Sequence, residues 1–176
     1  IGFRVDSSSI IGSGHLMRCL VLANEIRKNI KCNILFIMND LNNNLSSLVE
    51  KENFDIFKFQ IIESNWTQLN EAELLINNFE FKYFDIIFVD NYTLDFKWET
   101  LIKKISKKIF VIDDLANRRH ICDYLLDQNL SDDLENKYKD VVPDETIKFL
   151  GPKFALLRDE FINSGNNVKI KNSGLK

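Results

Sequence analysis

One stretch carries residue types arranged for chemistry: Gly2 to Arg18, GFRVDSSSIIGSGHLMR. A short apolar run, Ile1 to Val5, ends at Asp6. A polar loop with two glycines follows, from Ser7 to Gly14, and His15 stands at the head of a helical pattern. A strand, a glycine-bearing loop and a helix start form a ready anion site. The first amides of a helix lack internal partners, and the helix dipole adds partial positive charge there. Gly12 and Gly14 let the main chain turn tightly and approach a ligand closely. A loop built only to hold phosphate favours Lys or Arg, whereas a histidine can move a proton near neutral pH. His15 is therefore the candidate general base. Gly12, Ser13 and Gly14 are the candidate holders of a charged group through main-chain N–H.

The loop is not a P-loop, because no Gly-Lys pair closes it. Nor is it a complete dinucleotide fingerprint: Gly12 and Gly14 fit, but Met17 stands where the third glycine belongs. From local pattern alone two readings stay open. One is a proton-transfer site on an anion cradle. The other is a plain strand–turn–helix connection with incidental glycines.

The surrounding pattern says what would position these residues. Leu16, Cys19, Leu20, Leu22, Ala23 and Ile26 recur at helical spacing, which predicts a helix over His15 to Lys28. NILFIM (Asn33 to Met38) reads as a strand covered on both faces, Leu45 to Lys51 as a helix, and Phe54 to Ile62 as containing a third strand. Trp66 to Phe79 is helical, Asp85 to Asp90 a strand, Phe96 to Ser106 an amphipathic helix and Lys108 to Asp113 a strand. Tyr124 to Leu126 and Ile147 to Leu150 add further short strands. Alternating strands and helices predict an α/β fold, a Rossmann-like doubly wound parallel sheet. Three strands end in acid, at Asp6, Asp90 and Asp113. Ligands in such folds gather beyond the carboxyl ends of the strands, so these acids are expected to line one crevice with the glycine loop.

Four blocks resemble, in the same order, the UDP-sugar hydrolases of bacterial pseudaminic acid biosynthesis. They are RVDSSSIIGSGHLMRCLVLA, VDNYTLD (Val89 to Asp95), VIDDLANRRHICDYLLDQNL (Val111 to Leu130) and GPKFALLRDEF (Gly151 to Phe161). The resemblance implies removal of UDP from UDP-2,4-diacetamido-2,4,6-trideoxy-β-L-altropyranose and a two-domain architecture similar to GT-B glycosyltransferases. It also implies a catalytic role for His15 and a substrate-facing Tyr92. Many relatives carry His before that tyrosine, and here the residue is Asn91. A tyrosine that merely covers the sheet edge is the alternative reading of Tyr92. Residues 1–163 are expected to form the Rossmann-like domain. The polar segment 164–176, SGNNVKIKNSGLK after Asn163, has a linker's composition, leading toward a C-terminal nucleotide-binding domain.

Other candidates are less defined. Asp6 and Asp90 can orient His15 or bind sugar hydroxyls. Asp113 and its neighbour Asp114 can contact substrate or cap the next segment. Arg18, one turn beyond His15, can meet phosphate or an acid, and Arg118, Arg119 and His120 read as a small basic cluster in a loop. No carboxylate pair at a recognisable spacing points to a two-acid glycosidase.

Composition narrows the classes. The 176 residues are 45% hydrophobic, enough for a substantial core in one domain. The net charge of −3 gives no support for a nucleic-acid partner. Three cysteines, Cys19, Cys32 and Cys122, and two histidines make neither a disulfide framework nor a metal-ligand pattern, so no metal and no cofactor are expected. No signal peptide and no membrane-spanning run are visible, so a cytoplasmic protein without a membrane partner is expected. The expected partner is a UDP-sugar substrate. Two rivals remain: a glycosyltransferase of the same fold, with an acceptor hydroxyl in place of water, and a sugar-nucleotide binding module without activity.

Overall fold

The computed structural model describes residues 1–61, 63–80, 82–131 and 133–157. The proposed linker 164–176 lies outside them, as does the end of the fourth resembling block. Seven strands form one sheet: β1 (Gly2–Val5), β2 (Leu35–Asn39), β3 (Asp55–Phe59), β4 (Ile87–Asp90), β5 (Ile109–Ile112), β6 (Tyr124–Asp127) and β7 (Ile147–Leu150). Their order is β3-β2-β1-β4-β5-β6-β7 and every pairing is parallel. This is the α/β, Rossmann-like doubly wound sheet that the alternating pattern predicts. The order reverses between β1 and β4, which makes their carboxyl ends the topological switch point where ligands of such folds bind.

Among the described residues five helices connect the strands: α1 (Gly14–Asn29), α2 (Ser46–Lys51), α3 (Gln68–Asn78), α4 (Phe96–Ile102) and the short α5 (Leu134–Lys137). The last was not expected. α4 stops earlier than predicted, and tight turns replace its final segment, with Lys104 N–H bonded to the Leu101 carbonyl and Ile105 N–H to that of Ile102. Ile105 remains buried all the same.

Each strand alternates sides, so its residues sort into two cores. Phe3, Val5, Phe36, Met38, Phe88, Ile112 and Leu126 face α1 and α2 through Leu16, Cys19, Leu20, Ala23 and Val49. Ile37, Ile87, Val89, Ile109, Val111 and Leu125 face α3 and α4 through Ala72, Leu75, Trp98 and Ile102. On the α1 side a row of phenylalanines crosses the sheet. Phe36 stacks on Phe3 at 5.1 Å, Phe3 on Phe88 at 4.7 Å, and Phe88 meets Phe110 at 4.9 Å. The register Phe3↔Phe36, Phe3↔Phe88 and Phe88↔Phe110 sets these rings side by side, and such ring pairs add to area burial.

The α3 side holds a buried arginine. Arg4 belongs to β1, and its Nε and Nη2 bond Glu71 of α3 at 2.6 and 2.8 Å. Its Nη2 and Nη1 also meet the two Asp6 oxygens at 2.7 and 2.6 Å. The indoles of Trp66 and Trp98 donate to the same Glu71. Burial alone would lower the Arg4 pKa; the two carboxylates outweigh it and raise it. A charge inside a protein survives only when paired in this way.

Candidate active site

Four strands end in a buried acid at the same edge of the sheet: Asp6 after β1, Asp90 in β4, Asp113 after β5 and Asp127 in β6. All four are buried, and each has its own cation: Arg4, Arg18, Arg118 and Lys137 respectively. The pleat separates them. Asp6 follows the parity of Arg4, Asp113 that of Val111 and Asp127 that of Leu125, so these three belong to the α3/α4 side. Asp90 alone follows the parity of Phe88, toward α1.

Asp90 consequently meets the first turn of α1. Its Oδ1 lies 2.5 Å from His15 Nδ1 and accepts from Arg18 Nη2 at 2.6 Å, and its Oδ2 accepts from Arg18 Nε at 2.5 Å. Cys19 Sγ, one further along the helix, lies 3.7 Å from Oδ2. Burial by itself would push the Asp90 carboxyl up. The hydrogen bonds from Arg18 and His15 and their charges outweigh it and hold it below the usual carboxylate range. Arg18 is raised in turn: burial opposes its charge, and Asp90 more than compensates. A carboxylate only accepts, so His15 presents Nδ1–H to Asp90, and in the neutral imidazole Nε2 is then the lone-pair acceptor. The arrangement fixes tautomer and ring orientation together, the task of the acid in an acid–histidine pair.

The glycine loop leads into this histidine. Ser8 Oγ accepts from the amides of Ile10 and Ile11, and the Gly12 amide donates to the Ser8 carbonyl at 2.8 Å. Gly12 has φ +81° and open space around it, so a side chain there meets backbone strain and not a neighbour. Gly12→Ala is expected to cost about 1–2 kcal/mol, read as a lower denaturant midpoint. The Gly12 amide is thereby occupied. The amides of Gly14, His15 and Leu16 precede the first bond of the helix, Met17 N–H to Ser13 carbonyl, and Ser13 makes no side-chain cap. Beside them a cavity of about 260 Å³ is lined by Gly14, Met17, Arg18, Gln128, Leu156 and Leu157. A Cβ built on Gly14 touches nothing, so the space over the helix start is open.

Tyr92, on the loop after β4, stands edge-on to the His15 ring with centroids 4.6 Å apart, and its hydroxyl donates to Asp114 at 2.8 Å. Burial first, then Asp114, push its pKa up to about 12. Asn91 takes another role: Nδ2 donates to Asp6, Oδ1 accepts from the amide and hydroxyl of Thr93, and its carbonyl accepts from Arg118.

Of the three acids expected to line one crevice with the glycine loop, only Asp90 lies beside it, together with His15, Arg18 and Tyr92. Asp6 and Asp113 lie at the same edge with their carboxylates engaged. Asp6 also accepts the Asn39 amide, and Asp113 takes Arg118 at 2.6 Å and the Ala116 amide at 2.8 Å. The basic cluster of Arg118, Arg119 and His120 is not one: the three side chains part. Arg118 holds Asp113 and the carbonyls of Asn91 and Leu94, Arg119 lies over the Phe96 ring at 5.7 Å, and His120 is buried against Glu99. Sequence reasoning missed Asp127, Lys137 and Tyr138, which meet below Asp113 and Asp114. The Tyr138 hydroxyl bonds the Asp113 carbonyl and Asp127, and Lys137 Nζ bonds the Asp114 carbonyl and Asp127. The strand-end position of Asp127 was the available signal. Among the described residues no group of three or more His, Cys, Asp and Glu could hold a metal ion, and no helix is long and apolar enough to cross a membrane.

No known family model matches the chain. It is 31% identical over 170 residues to the UDP-2,4-diacetamido-2,4,6-trideoxy-beta-L-altropyranose hydrolase of Campylobacter jejuni, covering 96% of this chain and 56% of that protein. It is 24% identical over 163 residues to an uncharacterized protein of Methanocaldococcus jannaschii, covering 92% of this chain and 31% of that protein. The chain thus spans about half the length of one relative and about a third of the other.

Proposed function

We propose that this chain forms the water-activating half of a nucleotide-sugar hydrolase. The observation that carries the reading is the His15–Asp90 pair at the sheet's switch point, under a helix start with free amides. Its similarity to the Campylobacter jejuni hydrolase supports the substrate class, a UDP-linked diacetamido-trideoxy-hexose.

In this mechanism a water lies against His15 Nε2. It attacks the anomeric carbon on the face opposite the diphosphate. The new C–O bond forms as the bond to the diphosphate oxygen breaks, UDP leaves with that electron pair, and the water proton passes to Nε2. Asp90 keeps Nδ1–H fixed and stabilises the imidazolium that forms. The amides of Gly14, His15 and Leu16, with the helix dipole, stabilise negative charge on the departing group. Arg18 contributes through Asp90, its guanidinium being committed to that carboxylate. Asp6 and Asp113 act as positioning residues: Asp6 holds Asn91, and Asp113 holds Arg118, which anchors the Asn91 and Leu94 carbonyls of the loop bearing Tyr92.

The proposed architecture adds a second, nucleotide-binding domain beyond residue 163, as in GT-B-like enzymes. Exposed apolar side chains rim the site edge: Ile10, 93% exposed, with Ile11, Leu115, Leu130 and Leu157. Such a rim fits a domain that closes over the site and excludes water.

The test uses the full-length protein, the UDP-diacetamido sugar and isotopically labelled water. Label on the anomeric oxygen of the free sugar, with unlabelled UDP, supports hydrolysis by C–O cleavage. Consumption of an added acceptor with no free sugar would favour a transferase, and binding without turnover would favour a binding module. Gly14→Val is expected to raise KM about tenfold, roughly 1.4 kcal/mol, by filling the open space over the helix start. Thermal stability should not fall, since Val is no worse than Gly in a helix. An unchanged KM and kcat would leave the loop purely structural.

A further inference from the structure

The Tyr92 hydroxyl has one proton, and Asp114 Oδ1 takes it at 2.8 Å. Asp114 is itself held from its other oxygen: Asn129 Nδ2 donates to Oδ2 at 3.1 Å. Its main chain is tied as well, the carbonyl accepting from Lys137 Nζ at 2.6 Å. A carboxylate has no proton to return, so the phenol oxygen is left with acceptor capacity only. That oxygen belongs to Tyr92, a residue 40% exposed whose ring centroid lies 4.6 Å from that of His15.

We propose that Asp114, steadied by Asn129, is a positioning residue that fixes the Tyr92 hydroxyl as a hydrogen-bond acceptor, selecting a substrate that presents an N–H or O–H donor beside the reacting carbon. The inference rests on the hydrolase reading for its substrate. There the donor is an acetamido N–H, and an undirected hydroxyl would not discriminate for it. A site built to accept a donor rejects the analogue that lacks one, because a polar group is left unpaired on binding. The proton of the attacking water is not Tyr92's to take. His15 Nε2 is the acceptor for it, which separates the two roles.

Two measurements on the full-length protein test this. The first is independent of turnover: the ionised fraction of Tyr92 near pH 11, from the ring-carbon NMR signal that disappears in Tyr92→Phe. The charged and titratable groups facing that ring are Asp114, His15, Arg18, Asp90 and Arg118. Burial is the larger cause of the raised Tyr92 pKa and Asp114 the second; Asp114→Asn removes the second, so Tyr92 should titrate lower. An unmoved titration in Asp114→Asn would overturn the proposal.

The second compares the UDP-diacetamido sugar with probes methylated on an acetamido nitrogen, which have no N–H there. The unaltered protein should prefer the N–H probe in kcat/KM by about tenfold or more for one of the two acetamido groups. Asp114→Asn and Tyr92→Phe should each lose most of that preference, and together should lose no more than one alone. A preference kept in either variant, or losses that multiply, would sink the idea. If the unaltered protein turns over neither probe, the hydrolase reading has failed, and the Tyr92 titration still decides whether Asp114 controls the hydroxyl.

Discussion

His15→Asn in the full-length protein is expected to lower kcat on the UDP-diacetamido sugar by about a thousandfold, the range of a lost general base. Asn is the informative replacement. Its amide nitrogen sits at the same branch of the side chain as Nδ1 and can still donate to Asp90, so the buried carboxylate keeps its partner. What disappears is Nε2, the atom assigned to take the water proton. Folding should therefore be close to normal by circular dichroism and thermal melting. KM should change little, because the amides of the helix start belong to the main chain. A variant that retains near-normal kcat would remove His15 from the chemistry and leave the loop as an anion cradle alone.

Asp90→Asn should also lower kcat, by about 10²–10⁴, without touching the substrate. An Asn amide can turn its nitrogen toward His15 and favour the tautomer with its proton on Nε2, which cannot accept from water. The neutral side chain also gives no electrostatic support to the imidazolium. The structural cost is separable. Arg18 would lose its carboxylate in a nearly buried position, where an uncompensated charge is destabilising. Asp90→Asn with Arg18→Gln removes both charges. The pair should recover melting temperature and not kcat. Recovery of both would mean that Asp90 serves the fold and not the histidine.

The acid side of the stability profile belongs partly to the same carboxylate. Its pKa is depressed in the folded protein, so the stability that it contributes is present above the unfolded carboxylate range. That contribution is lost as pH falls through the lower folded value.

Much of this was legible in the residue order. The strand-then-glycine-loop pattern before His15, the helical spacing from Leu16 to Ile26 and the apolar runs ending at Asp90 and Asp113 specify local structure through the two backbone periods. The parallel sheet follows, since strands alternating with helices have no other compact arrangement. The helix start at His15 was one residue late, because a glycine is a poor helix former and an acceptable first residue. Arg118 and His120 were misread as companions because adjacency in sequence says little about direction inside a loop. One turns to Asp113 and the other to Glu99, in α4.

The sequence by itself determined that a histidine would follow a glycine loop at the carboxyl edge of a parallel sheet, with several acids at that edge. Only the tertiary structure decided which acid reaches it. Asp6 is nearer to His15 in the chain, yet it shares a face with Arg4 and turns to Glu71's side of the sheet. Asp90 is seventy-five positions away and makes the contact. The reason is the parity of the pleat combined with strand order. β4 pairs next to β1, and its last residue lies on the face that α1 covers, whereas the acids after β1 and β5 fall on the opposite face. Periodicity is local and can be read along a chain, but which helix covers which face is fixed only when the sheet closes its core.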